Sequence, residues 1–406
     1  MRILVLSQYC YPEPDLKCLP LAMELKARGF QVEILTGYPS HPIGKLYEGY
    51  KIRLFDSEYI EGIKVIRVPL FIDRSNSIIK RITNYVSFAL SASCIGVFLI
   101  KKPRVIYAYH GPATIAIPAV FIKLIYGSKI CYDINDYWPD SVSATGMLKN
   151  RLLIGVIGFY CKSSYWFFDN INVVSRGFKE KLLKLGVPGA KISLIYNWPL
   201  PIQSNKSESF QKYKDLYDNN FSVVYAGNIG KAQSLEIVIK TAAKLKRQGV
   251  NDVIFFLIGD GVESGMLKEK IADQELQNHV VVTGAIPSDN VGEFLEAADV
   301  LFLHLKRDPL FEITIPSKLG NYFSMSKPVL CGVKGETAEM VEVSSSGLCF
   351  EPDDDLDLYD KLMAIRALRQ EELIEMGRNG KEYFENMISF KIGSRKMIGV
   401  LEGLGK

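Results

Sequence analysis

Short apolar runs rich in Val, Ile and Phe alternate with amphipathic stretches along the whole chain. Strands buried on both faces of a parallel sheet read as such runs, and the amphipathic stretches between them read as crossover helices. In the first half the runs predict strands at 3–7, 31–36, 64–68, 105–109, 129–134 and 171–175. A helix predicted at 176–185 and ended by Gly186 leads to a short strand at 192–196. The polar segment 199–220 predicts a connection, after which the pattern restarts. Strands are expected at 222–226, 253–259, 280–283, 300–304, 328–331 and 348–350, with helices near 234–248, 262–273, 288–297 and 318–325. The expected fold class is α/β, two doubly wound Rossmann-like domains in tandem facing across a cleft. Boundaries are expected at 1–198 and 199–384, with a last helix at about 385–406 packing back on the first domain. Ligands of such sheets bind beyond the carboxyl ends of the strands, so those loops are where chemistry belongs.

Length and composition agree with this picture. A chain of 406 residues exceeds what one core usually serves, and 48% hydrophobic with 23% charged residues is ordinary for a folded enzyme. The seven cysteines are odd in number, scattered and never in a C-x-x-C pair, so they read as reduced thiols of a cytoplasmic protein. Four histidines without an H-E-x-x-H motif leave a histidine-based metal site little to be built from. Net charge is only +4, yet residues 1–200 hold 25 Lys and Arg against 14 Asp and Glu, while the rest holds 24 against 31. A basic amino-terminal half can face anionic lipid, a pyrophosphate-linked substrate or nucleic acid, or simply be a solvated surface. The apolar run opening the chain is too short for a signal peptide. The run at 86–100 falls short of the roughly twenty residues a bilayer span needs, so spanning is not expected; lying on a membrane surface stays open.

Three loops carry candidate chemistry. Gly259-Asp260-Gly261 follows a strand but lacks the third glycine of a dinucleotide-binding turn, which disfavours a nicotinamide or flavin enzyme. The segment 225–233 (YAGNIGKAQ) opens into a helix; its glycines, free helix N–H groups and Lys231 would suit a phosphate, or it is a plain strand-to-helix turn. At 316–319 (PSKL) a second basic helix start offers Ser317 and Lys318 either as a cap or as phosphate ligands. Two such starts aimed at one cleft would form a pyrophosphate clamp.

Together with 7–13 (SQYCYPE), 35–37 (LTG), 44–49 (GKLYEG), 65–69 (VIRVP), 135–141 (NDYWPDS) and 335–336 (GE), these segments resemble glycosyltransferase family 4 of the GT-B fold. The similarity is to its bacterial surface-polysaccharide branch, the O-antigen and colanic-acid type transferases, including N-acetylfucosaminyl transferases. The resemblance implies transfer of a sugar, an N-acetylated deoxyhexosamine, from a UDP-linked donor with retention of configuration. The acceptor would be a polyprenyl-pyrophosphate-linked glycan bound by the first domain, and the donor would sit on the second. Gly227, Asn228, Lys231 and Gln233 match the family's first phosphate loop, although many relatives carry Arg and Lys in place of Asn228 and Gln233. Gly259, Asp260, Gly261 and Ile286 match nucleoside-contacting positions, and Ser317, Lys318 and Leu319 match the second phosphate loop. Of the family's two glutamates around this helix, Glu312 stands for the first. Asn321 replaces the second, which can still bond a ribose hydroxyl without charge assistance. The glycine pair usual near the start of the chain is missing, and Lys17 could substitute for it electrostatically.

For the acceptor, Asp136 matches the family's Asp-x-Trp-Pro pattern and could orient or deprotonate a hydroxyl, or merely cap the turn. His110, after another strand, is a second polar candidate. In the resembling enzymes the departing phosphate takes the acceptor proton, so no metal or other cofactor is expected. Asp353, Asp354 and Asp355 precede a helix that they would cap rather than bind a metal. Apolar helical material at 78–100, 113–126 and 151–168, flanked by Lys and Arg, suits either core packing or the anionic inner face of the plasma membrane. Rival readings are a nucleotide-sugar 2-epimerase of the same broad fold and a basic nucleic-acid-binding protein. The latter finds no helix-turn-helix, zinc or RNP pattern, so nucleic acid is not an expected partner.

Overall fold

The computed structural model describes the chain except residues 15–16, 74–76, 145–149, 201 and 203–205, and the side chains of residues 110, 142 and 144. The chain divides into two compact units: Met1–Asn197 with Gly393–Lys406, and Trp198–Ile392.

In the first unit the strands are β1 (Arg2–Leu6), β2 (Gln31–Gly37), β3 (Asp56–Ile60), β4 (Ile63–Val68), β5 (Val105–His110), β6 (Lys129–Ile134), β7 (Asn170–Val173) and β8 (Ile192–Leu194). They form one sheet in the order β3-β4-β2-β1-β5-β6-β7-β8, parallel throughout except where β3 pairs antiparallel with β4. Strand β3 was not expected from the sequence. It alternates half-buried and exposed residues at the sheet edge, so it carries no apolar run. Its tight return to β4 uses Glu61 and Gly62, both at positive φ. The fully buried Arg67 on β4 reaches the Glu58 carboxylate on β3 at 2.5 Å.

In the second unit the strands are β9 (Phe221–Ala226), β10 (Val253–Ile258), β11 (Val280–Gly284), β12 (Val300–His304), β13 (Val329–Gly332) and β14 (Gly347–Cys349). All pair in parallel, in the order β11-β10-β9-β12-β13-β14. Every residue of β10 is buried, because helices cover both faces of a parallel sheet. Chain order reverses between β9 and β12, and a crevice opens beyond the carboxyl ends of strands at such a switch point.

The last helix, Phe390–Gly405, begins in the second unit, where Phe390 meets the buried Trp198 edge-on. From Gly393 onward it belongs to the first unit, where Met397, Ile398 and Leu401 are buried and Met397 Sδ lies 3.8 Å from Cys131 Sγ.

One helix is longer than the apolar run in the sequence implied. Ile78–Leu99 is 22 residues with a mean hydropathy of 1.6 and only 33% of its apolar window buried, so by length and composition it could cross a bilayer. The sequence run was cut short by polar residues such as Thr83 and Asn84, which interrupt a run without interrupting a helix. Here and on the helices Ala116–Tyr126 and Arg151–Tyr165, Ile79, Leu90, Phe98, Leu124, Leu152, Val156 and Phe159 are each more than half exposed.

Candidate functional site

The loops after β9 and β10 touch each other backbone to backbone. Gly227 N–H donates to Ile258 O (2.8 Å) and Ile229 N–H to Asp260 O (2.9 Å). Gly259 has φ +133°, and a β-carbon there would lie 2.0 Å from the Gly227 carbonyl oxygen. A β-carbon at Gly261 would lie 2.3 Å from Ile229 O. Both glycines are thus demanded by the contact between loops, whatever binds above them. The 227–235 loop does not run straight into its helix, as the sequence suggested: Ser234 takes a left-handed φ of 47° and the helix Glu236–Arg247 starts two residues later.

Lys318 is a half-buried, desolvated cation of this unit. It lies in the helix Ser317–Ser324, whose start at Pro316 carries no side-chain cap. The Lys318 Nζ stands 3.8 Å from the centre of the Tyr225 ring and donates to the Tyr225 hydroxyl. Tyr225 in turn donates to Asn228 O (2.6 Å). Gly227 makes room for the lysine, since a β-carbon there would meet Lys318 Cε at 2.4 Å. Burial lowers the Lys318 pKa to about 7, because a desolvated ammonium without an anion nearby is disfavoured.

Above these groups is a pocket of about 480 Å3 whose walls include Gly227, Asn228, Gly259, Asp260, Ile286, Lys318 and Asn321. Seven of the expected site residues therefore meet in one place. The others sit differently. Lys231 is exposed and does not line the pocket, so its expected convergence with Lys318 is not part of this geometry. Gln233 turns back into its own loop, where Oε1 accepts from Gly230 N–H at 3.2 Å. Gly261 packs on Ile229, Ser317 is exposed, and Leu319 is wholly in the core. Glu312 is exposed, with its carbonyl so close to Gly335 that a β-carbon there would come within 1.9 Å. Sequence reasoning missed Tyr225 and Tyr322; the latter lines the pocket and its hydroxyl accepts from Ala226 N–H at 3.0 Å. In the sequence Tyr225 only opens the 225–233 segment and Tyr322 is not singled out; the polar contacts of their hydroxyls give them a role.

In the first unit, Asp136 is solvent-accessible as a residue while surrounding protein crowds its carboxyl, and that desolvation raises its pKa. The turn at this point is closed by the main chain, Trp138 N–H to Asp136 O (3.1 Å), rather than by the carboxylate. His110 ends β5, and its side chain lies outside the described residues. Lys17 does not face solvent or a ligand. It is fully buried, and its Nζ lies 3.0 Å from Asp133 Oδ2. Asp133 also accepts from Tyr107 (2.6 Å) and Asn172 (2.6 Å). A second pocket of about 480 Å3 opens beyond β1 and β2, lined by Tyr9, His41, Lys80, Arg81, Asn84 and Tyr85 among others. Its loops are tied by the buried Glu13, which accepts from the backbone N–H groups of Cys10, Ser40 and His41. Among the acids before the helix Asp355–Arg366, Asp354 is the cap, accepting from Leu356 and Asp357 N–H.

Comparison with known proteins agrees with this fold. Residues 206–383 match the glycosyl transferases group 1 family. WcaI of Escherichia coli K12, named as a colanic acid biosynthesis glycosyl transferase, is 24% identical over 395 residues, 93% of each chain. AmsK of Erwinia amylovora, named for amylovoran biosynthesis, is 22% identical over 232 residues, 57% of this chain and 55% of its own. The crystal structure of HepE from Anabaena with UDP and glucose has a TM-score of 0.71 at 15% identity, covering 99% of this chain and 100% of HepE. Residues 206–383 therefore carry the likeness to the glycosyl transferases group 1 family, within a chain that has the GT-B fold.

Proposed function

We propose that the protein transfers a sugar, an N-acetylated deoxyhexosamine, from a UDP-linked donor to a lipid-linked saccharide in surface polysaccharide synthesis, with retention of configuration. The observation that carries this reading is the half-buried, desolvated Lys318, set over Gly227 in a pocket at the switch point of the second sheet. A desolvated ammonium at an uncapped helix start is a site for an anion, and the pocket beyond it has room for a nucleoside. HepE, of like fold, was crystallised with UDP and glucose, and WcaI and AmsK are named for exopolysaccharide synthesis.

In this reading Lys318, the N–H groups of its helix and the Gly227–Gln233 loop hold the diphosphate. Gly259, Asp260 and Ile286 face the nucleoside, Asn321 bonds the ribose, and Glu312 serves the donor sugar. Asp136 orients the acceptor hydroxyl, and desolvation raises its pKa above the usual carboxylate value. The bond from the anomeric carbon to the phosphate oxygen breaks as the bond to the acceptor oxygen forms on the same face. The acceptor proton passes to the leaving phosphate, so the protein's task is to hold geometry and neutralise charge, which Lys318 does without a metal ion. The exposed apolar side chains of the first unit, with Lys80, Arg81 and Lys123 on the same helices, would rest on the anionic inner face of the membrane where such acceptors are held.

A thermal-shift series with UDP-, GDP- and dTDP-sugars tests the donor class, since a ligand that binds only the folded state raises its melting temperature. UDP-sugars are expected to raise it most. No shift with any nucleotide would overturn the reading.

A further inference from the structure

The buried His304 ends β12 behind the donor loop, and its surroundings fix the state of its ring. The side chain is fully buried, and the ring lies nearly parallel to those of Phe302 and Phe350, with centroids 6.1 and 5.8 Å away. Gly332 leaves it space, since a β-carbon there would come within 2.6 Å of His304 Cδ2. Nδ1 lies 2.7 Å from the carbonyl oxygen of Gln233, which can only accept. Nε2 lies 3.1 Å from the backbone N–H of Asp353, which can only donate. One neutral tautomer alone satisfies both neighbours, with the proton on Nδ1.

These two bonds clasp two loops together. Asp353, held at a left-handed φ of 62°, accepts from Ser234 Oγ (2.8 Å) and from Arg307 N–H (2.7 Å). Lys306 N–H donates to Ala232 O (2.9 Å). Residues 232–234 are thus pinned from beneath at three consecutive positions, and Gln233 passes the constraint on through Oε1, which accepts from Gly230 N–H and from Asn228 Nδ2 at 3.4 Å. Asn228 lines the donor pocket.

We infer that His304 is a positioning residue: its neutral ring holds the Gly227–Ser234 loop in the shape that receives the donor diphosphate, and its protonation releases that loop. This rests on the reading of the pocket as a nucleotide-sugar site. An imidazolium would set a second N–H against the N–H of Asp353 and break the clasp on one side. Asp353 Oδ1, 3.8 Å from Nε2, is the charged group acting on the ring and favours the cation. Nearby, Arg307 and Lys334 are both engaged by Glu351. Burial outweighs Asp353 and holds the pKa below the usual histidine value, so the clasp is closed at neutral pH and opens only as pH falls through that lowered pKa.

The test is calorimetric titration of UDP into the full chain between pH 5.0 and 7.5, for wild type, His304→Phe and His304→Asn. The phenyl ring keeps the stack but loses both bonds, and UDP should bind roughly tenfold more weakly at pH 7.5, the scale of one buried acceptor left unpaired. Asparagine replaces the Nδ1 donor with an amide that does not titrate. It should restore affinity to about threefold of wild type at pH 7.5 and bind better than wild type relative to that value at pH 5.0. Protonation of UDP itself is common to all three proteins and cancels in the comparison. Superimposable pH profiles for wild type and His304→Asn would overturn the inference while leaving the donor site intact. If wild type bound no UDP at any pH while remaining folded by its melting curve, the donor reading would fall and this inference with it.

Discussion

The Lys318 ammonium lies against the face of Tyr225, 3.8 Å from the ring centre, and donates to the same residue's hydroxyl. A cation packed on an aromatic ring and desolvated without a carboxylate partner is held ready rather than satisfied, since a π-face offsets only part of the lost hydration. That is why its pKa falls to about 7. An incoming diphosphate supplies the missing anion and drives the pKa upward again. At pH 8 the free amine is largely neutral, so UDP binding should take up a proton. Titration calorimetry in two buffers of different ionisation enthalpy measures this directly; at pH 6, where Lys318 is already charged, the uptake assigned to it should vanish.

Lys318→Ala should weaken UDP binding by about tenfold to a hundredfold, the range for losing charge-assisted hydrogen bonds. Because the lysine is desolvated in an electrically uncompensated position, its removal should not lower the melting temperature by more than a few degrees. A large fall in stability with unchanged UDP affinity would mark it as a packing residue.

Gly259→Ala places a β-carbon against the carbonyl of Gly227 at a backbone angle that alanine rarely adopts. It should cost about 1–3 kcal/mol of stability. It should also weaken UDP binding, because the two loops would be forced apart. Gly265→Ala, in open space on the next helix, is the control and should change neither.

The ion pair of Lys17 and Asp133 separates structure from function in the first unit. Removing one partner leaves the other charge buried, so Lys17→Ala should destabilise the protein by about 3–5 kcal/mol in urea unfolding. UDP affinity should stay within twofold of wild type. A selective loss of donor binding would instead restore the role that the sequence suggested for this lysine.

Membrane contact is tested by flotation with vesicles containing anionic lipid. Wild type should float in a salt-sensitive way, and the double substitution Ile79→Asp and Phe159→Asp should abolish flotation without altering the melting temperature, as both side chains are exposed. Retained flotation of the variant would move the contact elsewhere.

The fold was largely legible because parallel strands buried on both faces announce themselves as apolar runs, as β10 does. Strand β3 was hidden because an edge strand with one wet face has no such run. Along the pocket, Gly227, Gly259, Lys318 and Asn321 could be singled out through the family resemblance. Lys17 and Lys231 could not be told apart from them, since a lysine's sequence context does not say whether its ammonium ends in a salt bridge or in solvent. His304 was passed over for a related reason: its significance lies in Gln233 and Asp353, which come from distant parts of the chain and meet only after the sheet has formed.

The central claim is that Lys318 and its helix start receive the donor's diphosphate. A crystal structure of the protein grown with UDP in chelator measures this most directly. Phosphate oxygens are expected at about 3 Å from Lys318 Nζ and from backbone N–H groups of the Gly227 loop or the Ser317 helix start. UDP bound elsewhere, or bound there only when manganese replaces the chelator, would contradict it.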